Sequence, residues 1–153
     1  MTTDPCFPAP KGSKELEVSP VLTPKFDAEG LIPAIVTDAD DGTVLMFAWM
    51  NREALALTLR TRQAHFWTRS RKKIWRKGEQ SGNILHVDDI RVDCDQDVVL
   101  VRARLGGGVA CHTGARSCFY RMVGLQPDIT GAFPLIVIDA KTPAAATTGS
   151  NGA

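Results

Sequence analysis

Three stretches hold residues whose types and spacing suit chemistry. The first is DCDQD, Asp93 to Asp97, in which three carboxylates alternate around a thiol just before the apolar run Val98 to Val101. If the chain continued there as a strand, Asp93, Asp95 and Asp97 would share one face and Cys94 would take the other. Hard carboxylate oxygens suit magnesium, which keeps several of its waters and often bridges to phosphate. In a fully extended strand the outer carboxylates begin about 13 Å apart, too far for both to touch one ion at about 2.1 Å. Either the backbone turns here or some contacts run through water, and a solvated acidic strand end is the plain alternative. An EF-hand loop is excluded, because Val98 stands where its turn glycine belongs and Arg104 where its bidentate glutamate belongs.

The second stretch, GGVACHTGARSCFY from Gly107 to Tyr120, places Cys111 and Cys118 seven residues apart with His112 beside the first. That gap is wider than in a zinc knuckle, and alone it suits two half-buried cysteines on neighbouring strands equally well. Cys94 adds a third thiol, completing a donor set for tetrahedral zinc with its fourth position open. Structural zinc sites are usually closed by four protein ligands, whereas hydrolytic ones keep a place for water. Three thiolates leave such a site net negative, which acidifies bound water less than neutral imidazoles do. A neighbouring base is then useful, and His112 is the candidate, unless it fills the fourth place itself.

The third stretch, FWTRSRKKIWRKGEQSGN from Phe66 to Asn83, packs Arg69, Arg71, Lys72, Lys73, Arg76 and Lys77 around Trp67 and Trp75, with no acid before Glu79. Arginine forks onto phosphate, tryptophan offers a flat face, and the N–H groups around Ser81-Gly82-Asn83 suit an anion nest. The same residues could bind RNA through phosphate contacts and base stacking, or form a solvated cationic loop. The glycines and serines among the charges favour a small anion held closely.

These stretches must be positioned by a small scaffold. The chain has 153 residues, 44% hydrophobic and 23% charged, which suits one globular domain and leaves no room for a second catalytic one. Its formal net charge of +1 excludes a protein held on nucleic acid mainly by counterion release, so any basic site is local. No charged segment leads into an apolar one at the amino terminus, and no apolar run approaches the roughly 18 residues that span a bilayer. A cytoplasmic location is expected, where thiols serve as thiols or metal ligands rather than disulfides.

Residues 1–25 read as a mobile Pro-rich leader, with Cys6 a bystander in it; 26–140 as the working domain; 141–153 as a disordered low-complexity tail. Leu31 to Val36 and Thr43 to Trp49 read as strands around the turn DADDG, with Asp38, Asp40 and Asp41 as turn residues. Asn51 caps a helix, NREALALTLRTR, with Glu53 in its first turn and Arg60 and Arg62 in its last. AHFWT, ILHVDDIRV, VVLVRARL, SCFYRMV and PLIVI follow as short strands. One main helix and about seven strands predict a small, strand-rich α+β domain with a mixed, twisted sheet.

Taken together, LMFAWMNREAL, TRSRKKIWRKGEQSGN, DCDQD and ACHTGARSCFY resemble the signature segments of the phosphoribosyl-AMP cyclohydrolases, the histidine-biosynthesis enzymes that open a purine ring. The resemblance covers about Ala34 to Val123 in unbroken order, with one departure: the family's usual Ser-Arg-Ser-Arg is here Thr68-Arg69-Ser70-Arg71. It implies an intertwined homodimer, with magnesium at Asp93, Asp95 and Asp97. It implies zinc at Cys111 and Cys118 of one subunit and Cys94 of the other. His112 is then expected to carry a proton, and Ser70, Arg71, Trp75, Lys77, Gly78 and Ser81 to bind a small phosphorylated nucleotide. The rival reading is a zinc-stabilised RNA-binding module that uses residues 66–83.

Overall fold

The computed structural model describes residues 7–9 and 12–139; Cys6 and the low-complexity tail 141–153 lie outside them. The elements, in chain order, are α1 (Ser13–Val18), β1 (Leu31–Asp38), β2 (Val44–Asn51), α2 (Arg52–Thr61), β3 (His65–Thr68), β4 (Lys73–Arg76), β5 (Leu85–Val92), β6 (Val99–Leu105), β7 (Arg121–Val123) and β8 (Leu135–Val137). Six strands form one sheet in the order β4-β3-β2-β1-β6-β5, and β7 pairs with β8 apart from it. Only β1 and β6 run parallel, and the other pairings in the large sheet are antiparallel, so the sheet is mixed. It also curls: in β5, at one end of the order, Leu85 O accepts from Ala64 N and Val87 N donates to Arg62 O, just ahead of β3.

The alternating apolar residues of β1 and β6 form the centre of the core. Ile32, Ala34, Val36, Val99, Val101 and Ala103 are fully buried, closed over by Leu55 of α2 and Phe66 of β3. Helix α2 begins where the sequence predicts, with Asn51 Oδ1 accepting from Ala54 N at 2.9 Å. It stops at Thr61, one residue early, because Arg62 takes a left-handed conformation as C-cap. Among the described residues no helix is long and apolar enough to cross a membrane.

Three expectations are corrected. Among the described residues there are two helices, since SKELEV in the leader forms α1. The described residues Phe7, Leu16 and Thr23 ahead of β1 are buried. An extra edge strand, β4, lies inside the basic stretch, paired with β3. The strand expected over SCFYRMV is confined to Arg121–Val123, because Ser117 Oγ donates to Val44 O and Cys118 N to Leu45 O, which ties that segment to β2 instead.

Candidate active site

The loop carrying Cys111 and Cys118 folds back on itself. Ala110 N donates to Arg116 O and Cys111 N to Ala115 O, with Gly114 at φ +91° making the reversal. Arg116 then fastens this loop to the β1–β2 turn, donating to Asp38 Oδ2 at 2.7 Å and to Asp41 Oδ2 at 2.8 Å. The turn aspartates therefore do hold the turn, with Asp38 Oδ1 accepting from Asp40 N, and they also anchor the thiol loop. Nothing in the sequence pairs Arg116 with residues more than seventy positions away; only the tertiary fold brings them together.

The two thiols interact directly. Burial works to raise Cys111, but hydrogen bonds from the Thr113 hydroxyl, 3.0 Å from its sulfur, from the Thr113 N–H and from Cys118, with the Lys77 charge, hold it below the ordinary thiol range. Cys118 is exposed as a residue, yet desolvation of its sulfur and the adjoining Cys111 push it up to about 11, against the pull of Lys77. The two sulfurs are thus shifted in opposite directions, the pattern of a pair competing for one proton. His112 is exposed beside them.

The DCDQD segment is a turn between β5 and β6, not a strand. Asp93 Oδ1 accepts from Asp97 N and Val98 N, and Gln96 N donates to Asp93 O. The expected separation of Cys94 from the acids fails for this reason: ligand atoms of Asp93, Cys94 and Asp95 all lie within 4.8 Å of one another. The roughly 13 Å span of an extended strand likewise does not arise. Burial would raise Asp93, but hydrogen bonds from Asp97, Asp95 and the Val98 N–H hold it low. Asp97 is pushed up to about 6, first by its hydrogen bond to Asp93, then by desolvation and by Asp95. Among the described residues, Cys94 does not group with Cys111 and Cys118.

The basic stretch shapes a cleft of about 300 Å³, lined by Arg71, Trp75, Lys77, Gly78 and Ser81 among others. Ser70 lies in an adjoining recess with Trp49, Trp67 and Arg69. Trp75 is packed against Phe66, ring centres 5.2 Å apart, and Arg69 sits 5.0 Å over the Trp49 ring. Gly78 has no substitute here: at φ +85°, a Cβ on it would lie 2.3 Å from the carbonyl carbon of Asn83.

The sequence of the phosphoribosyl-AMP cyclohydrolase family matches residues 46–120. A phosphoribosyl-AMP cyclohydrolase of Chelativorans sp. (strain BNC1) is 58% identical over 122 residues, 78% of this chain and 88% of that protein. One of Sinorhizobium medicae is 52% identical over 131 residues, 85% of each chain. The Brucella anthropi protein of the same name is 56% identical over 119 residues, 76% of this chain and 84% of that one. The chain belongs to the phosphoribosyl-AMP cyclohydrolase family.

Within that cyclohydrolase framework the departure at Thr68 has a simple account. Its Oγ1 accepts from Arg71 N at 3.2 Å, a turn contact that serine or threonine supplies equally. Two residues outside the predicted site also shape it. Thr113 was legible only as a hydroxyl two positions after a cysteine, and Arg116 only as a charge between two cysteines.

Proposed function

We propose that the chain hydrolyses the N1–C6 bond of the adenine ring of 1-(5-phosphoribosyl)-AMP, giving the phosphoribosyl-formimino aminoimidazole carboxamide ribotide, a step of L-histidine biosynthesis. The observation that carries this reading is Lys77. It lines the basic cleft while its charge acts on both Cys111 and Cys118, which supports reading the anion site and the thiols as parts of one site. A substrate with a phosphate among Arg71, Lys77 and Ser81 would therefore present its base toward the sulfurs, with Trp75 offering an apolar face beside it. Ribosylation at N1 leaves the ring cationic and electrophilic at C6, which favours addition of water there.

The donor sets fit two metals. Cys111 and Cys118 are soft, adjacent and share their protons, and zinc is the ion such sulfurs select. Bound zinc supplies Lewis acidity that makes water nucleophilic at neutral pH. Cys94 of a second copy would complete this set, since within one chain it stands with Asp93 and Asp95 instead. Asp93, Asp95 and Asp97 supply hard oxygens for magnesium, which also offers counter-charge to a second phosphate. His112, exposed next to Cys111, is the group free to take the proton of the attacking water and return it to N1 as the ring opens. The free thiols suit the reducing cytoplasm.

A homodimer is part of this reading. Met122, Val123, Leu135, Ile136, Val137 and Ile138 on and beside the β7–β8 pair are between 44% and 58% exposed, an apolar surface unusual for a monomer. A second copy would cover it and bring Cys94 to the thiol pair. The RNA-binding alternative is not favoured, because the cationic side chains converge on a cleft of small-molecule size rather than a track along the surface.

The test is to strip metal from the reduced protein, restore zinc, and follow purine opening by its ultraviolet change. Activity should vanish and return; a zinc-free protein working at full rate would overturn the proposal. Mixing inactive Cys94→Ser and Cys111→Ser subunits should restore one site in each mixed dimer. No recovery after proven exchange would exclude sharing.

A further inference from the structure

The acidic turn is tied to the leader through one residue. Gln96 is 4% exposed, although it sits in the turn with the exposed Asp93 and Cys94. Its φ of +58° lies in the left-handed region, which side chains other than Gly, Asn and Asp seldom enter. Turns of this geometry at a surface ordinarily carry one of those residues. Here the side chain instead points inward, where Oε1 accepts from Thr23 N at 2.8 Å and Nε2 donates to Leu16 O at 3.1 Å. Its backbone carbonyl accepts from Lys25 N at 2.8 Å. These three bonds join a turn more than seventy residues away to both ends of the segment from α1 to Lys25.

The same residue is fixed on the other side. Gln96 N donates to Asp93 O, while Asp93 Oδ1 holds the N–H groups of Asp97 and Val98. Asp95 and Asp97 flank Gln96 directly, so its backbone cannot rotate without moving both carboxylates. The leader also lies ahead of residues 46–120, the part matched by the family as a whole.

We propose that Gln96 couples the leader to the acidic turn, so that docking of residues 12–25 and binding of a divalent cation at Asp93, Asp95 and Asp97 strengthen each other. This rests on the magnesium reading above. Gln96 touches neither cation nor substrate; it is a positioning residue. A turn already held in one backbone conformation loses less freedom when its carboxylates converge on an ion. Linkage makes the effect reciprocal, so a cation on the turn must tighten the leader by the same factor.

Manganese, read by electron paramagnetic resonance, can stand in as the probe cation in titrations of the full-length protein, Gln96→Gly and Leu16→Asp. Glycine keeps the left-handed backbone and the bond from Lys25 N but deletes the two side-chain bonds to Thr23 and Leu16; Leu16→Asp dislodges α1 without substituting any residue of the turn. Each should weaken manganese binding by about five- to tenfold. Manganese should also slow hydrogen exchange at the Thr23 and Lys25 amides of the unmodified chain, and much less so in Gln96→Gly. Exchange at Ile32 and Val101 checks that the core is folded, and should Gln96→Gly fail there, Leu16→Asp decides. Manganese binding that requires Asp95 but ignores both substitutions would overturn the coupling alone. No binding, or binding indifferent to Asp95→Asn, would sink the magnesium reading and the coupling with it.

Discussion

At the scale of single residues, the site is defined by groups that share protons. Cys111 and Cys118 contend for a proton under the charge of Lys77, and Asp93 and Asp97 do the same across a turn. In each pair one member is driven down and its neighbour up, as two groups sharing a proton must be. The acidic pair gives a pH dependence with a definite sign. With Asp97 titrating at about 6, its carboxyl is ionised at pH 7.5 and about nine-tenths protonated at pH 5. Protons then compete with the cation, so divalent-ion affinity should fall roughly tenfold between those pH values. Calorimetric titration with magnesium or manganese checks this, and an affinity flat across the range would remove Asp97 from the site.

At the scale of elements, two tertiary contacts hold the site in shape. Arg116 pins the thiol loop to the β1–β2 turn, and Asp38, its nearer partner, has a side chain only 11% exposed. Arg116→Ala leaves that carboxylate unpaired, and a loss of about 1–3 kcal/mol is expected, measured by urea unfolding. Arg116→Lys should recover only part of it, since a single ammonium nitrogen replaces two guanidinium nitrogens, Nη2 at both carboxylates and Nη1 at the Thr43 hydroxyl. The cleft depends on Gly78 in a different way. Gly78→Ala drives a methyl into the backbone of Asn83 and Ile84, which must move and carry the Ser81 turn with them. Substrate KM should rise by about tenfold or more, an effect of roughly 1.4 kcal/mol, with a smaller change in kcat; an unchanged KM would separate this loop from substrate binding. Legibility differs among these elements. The Asn51 cap, the alternation of β1 and the run of β6 were readable because local pattern and burial agree. Strand β4 was not, because Lys73 and Arg76 mask the alternation of an edge strand whose remaining residues are only half-buried.

At the scale of the molecule, one domain presents thiols, acids and a basic cleft, with an apolar hairpin left open beside them. That hairpin is where assembly can be tested. Ile136→Asp places a charge in the exposed β8 surface and should yield a monomer by light scattering, with zinc affinity lost together with the contribution of Cys94. A dimer that survives would move the interface elsewhere. In the leader, five prolines and little periodicity argue for mobility, and among its described residues Leu16, Thr23 and Pro24 are buried, with Leu16 and Thr23 bonded to Gln96.

The sequence by itself determined the chemistry available and the family, because residue types and their order along the chain are what soft donors, hard donors and anion clamps consist of. The main helix and central strands followed too, being set by periodicities of a few residues. Only the tertiary structure decided that DCDQD turns, that Cys111 meets Cys118 under Lys77, that Arg116 reaches Asp38, and that the leader docks on Gln96. Each of those is a contact between distant parts of the chain or a backbone angle that local preference disfavours, and such features exist only once the whole core has closed.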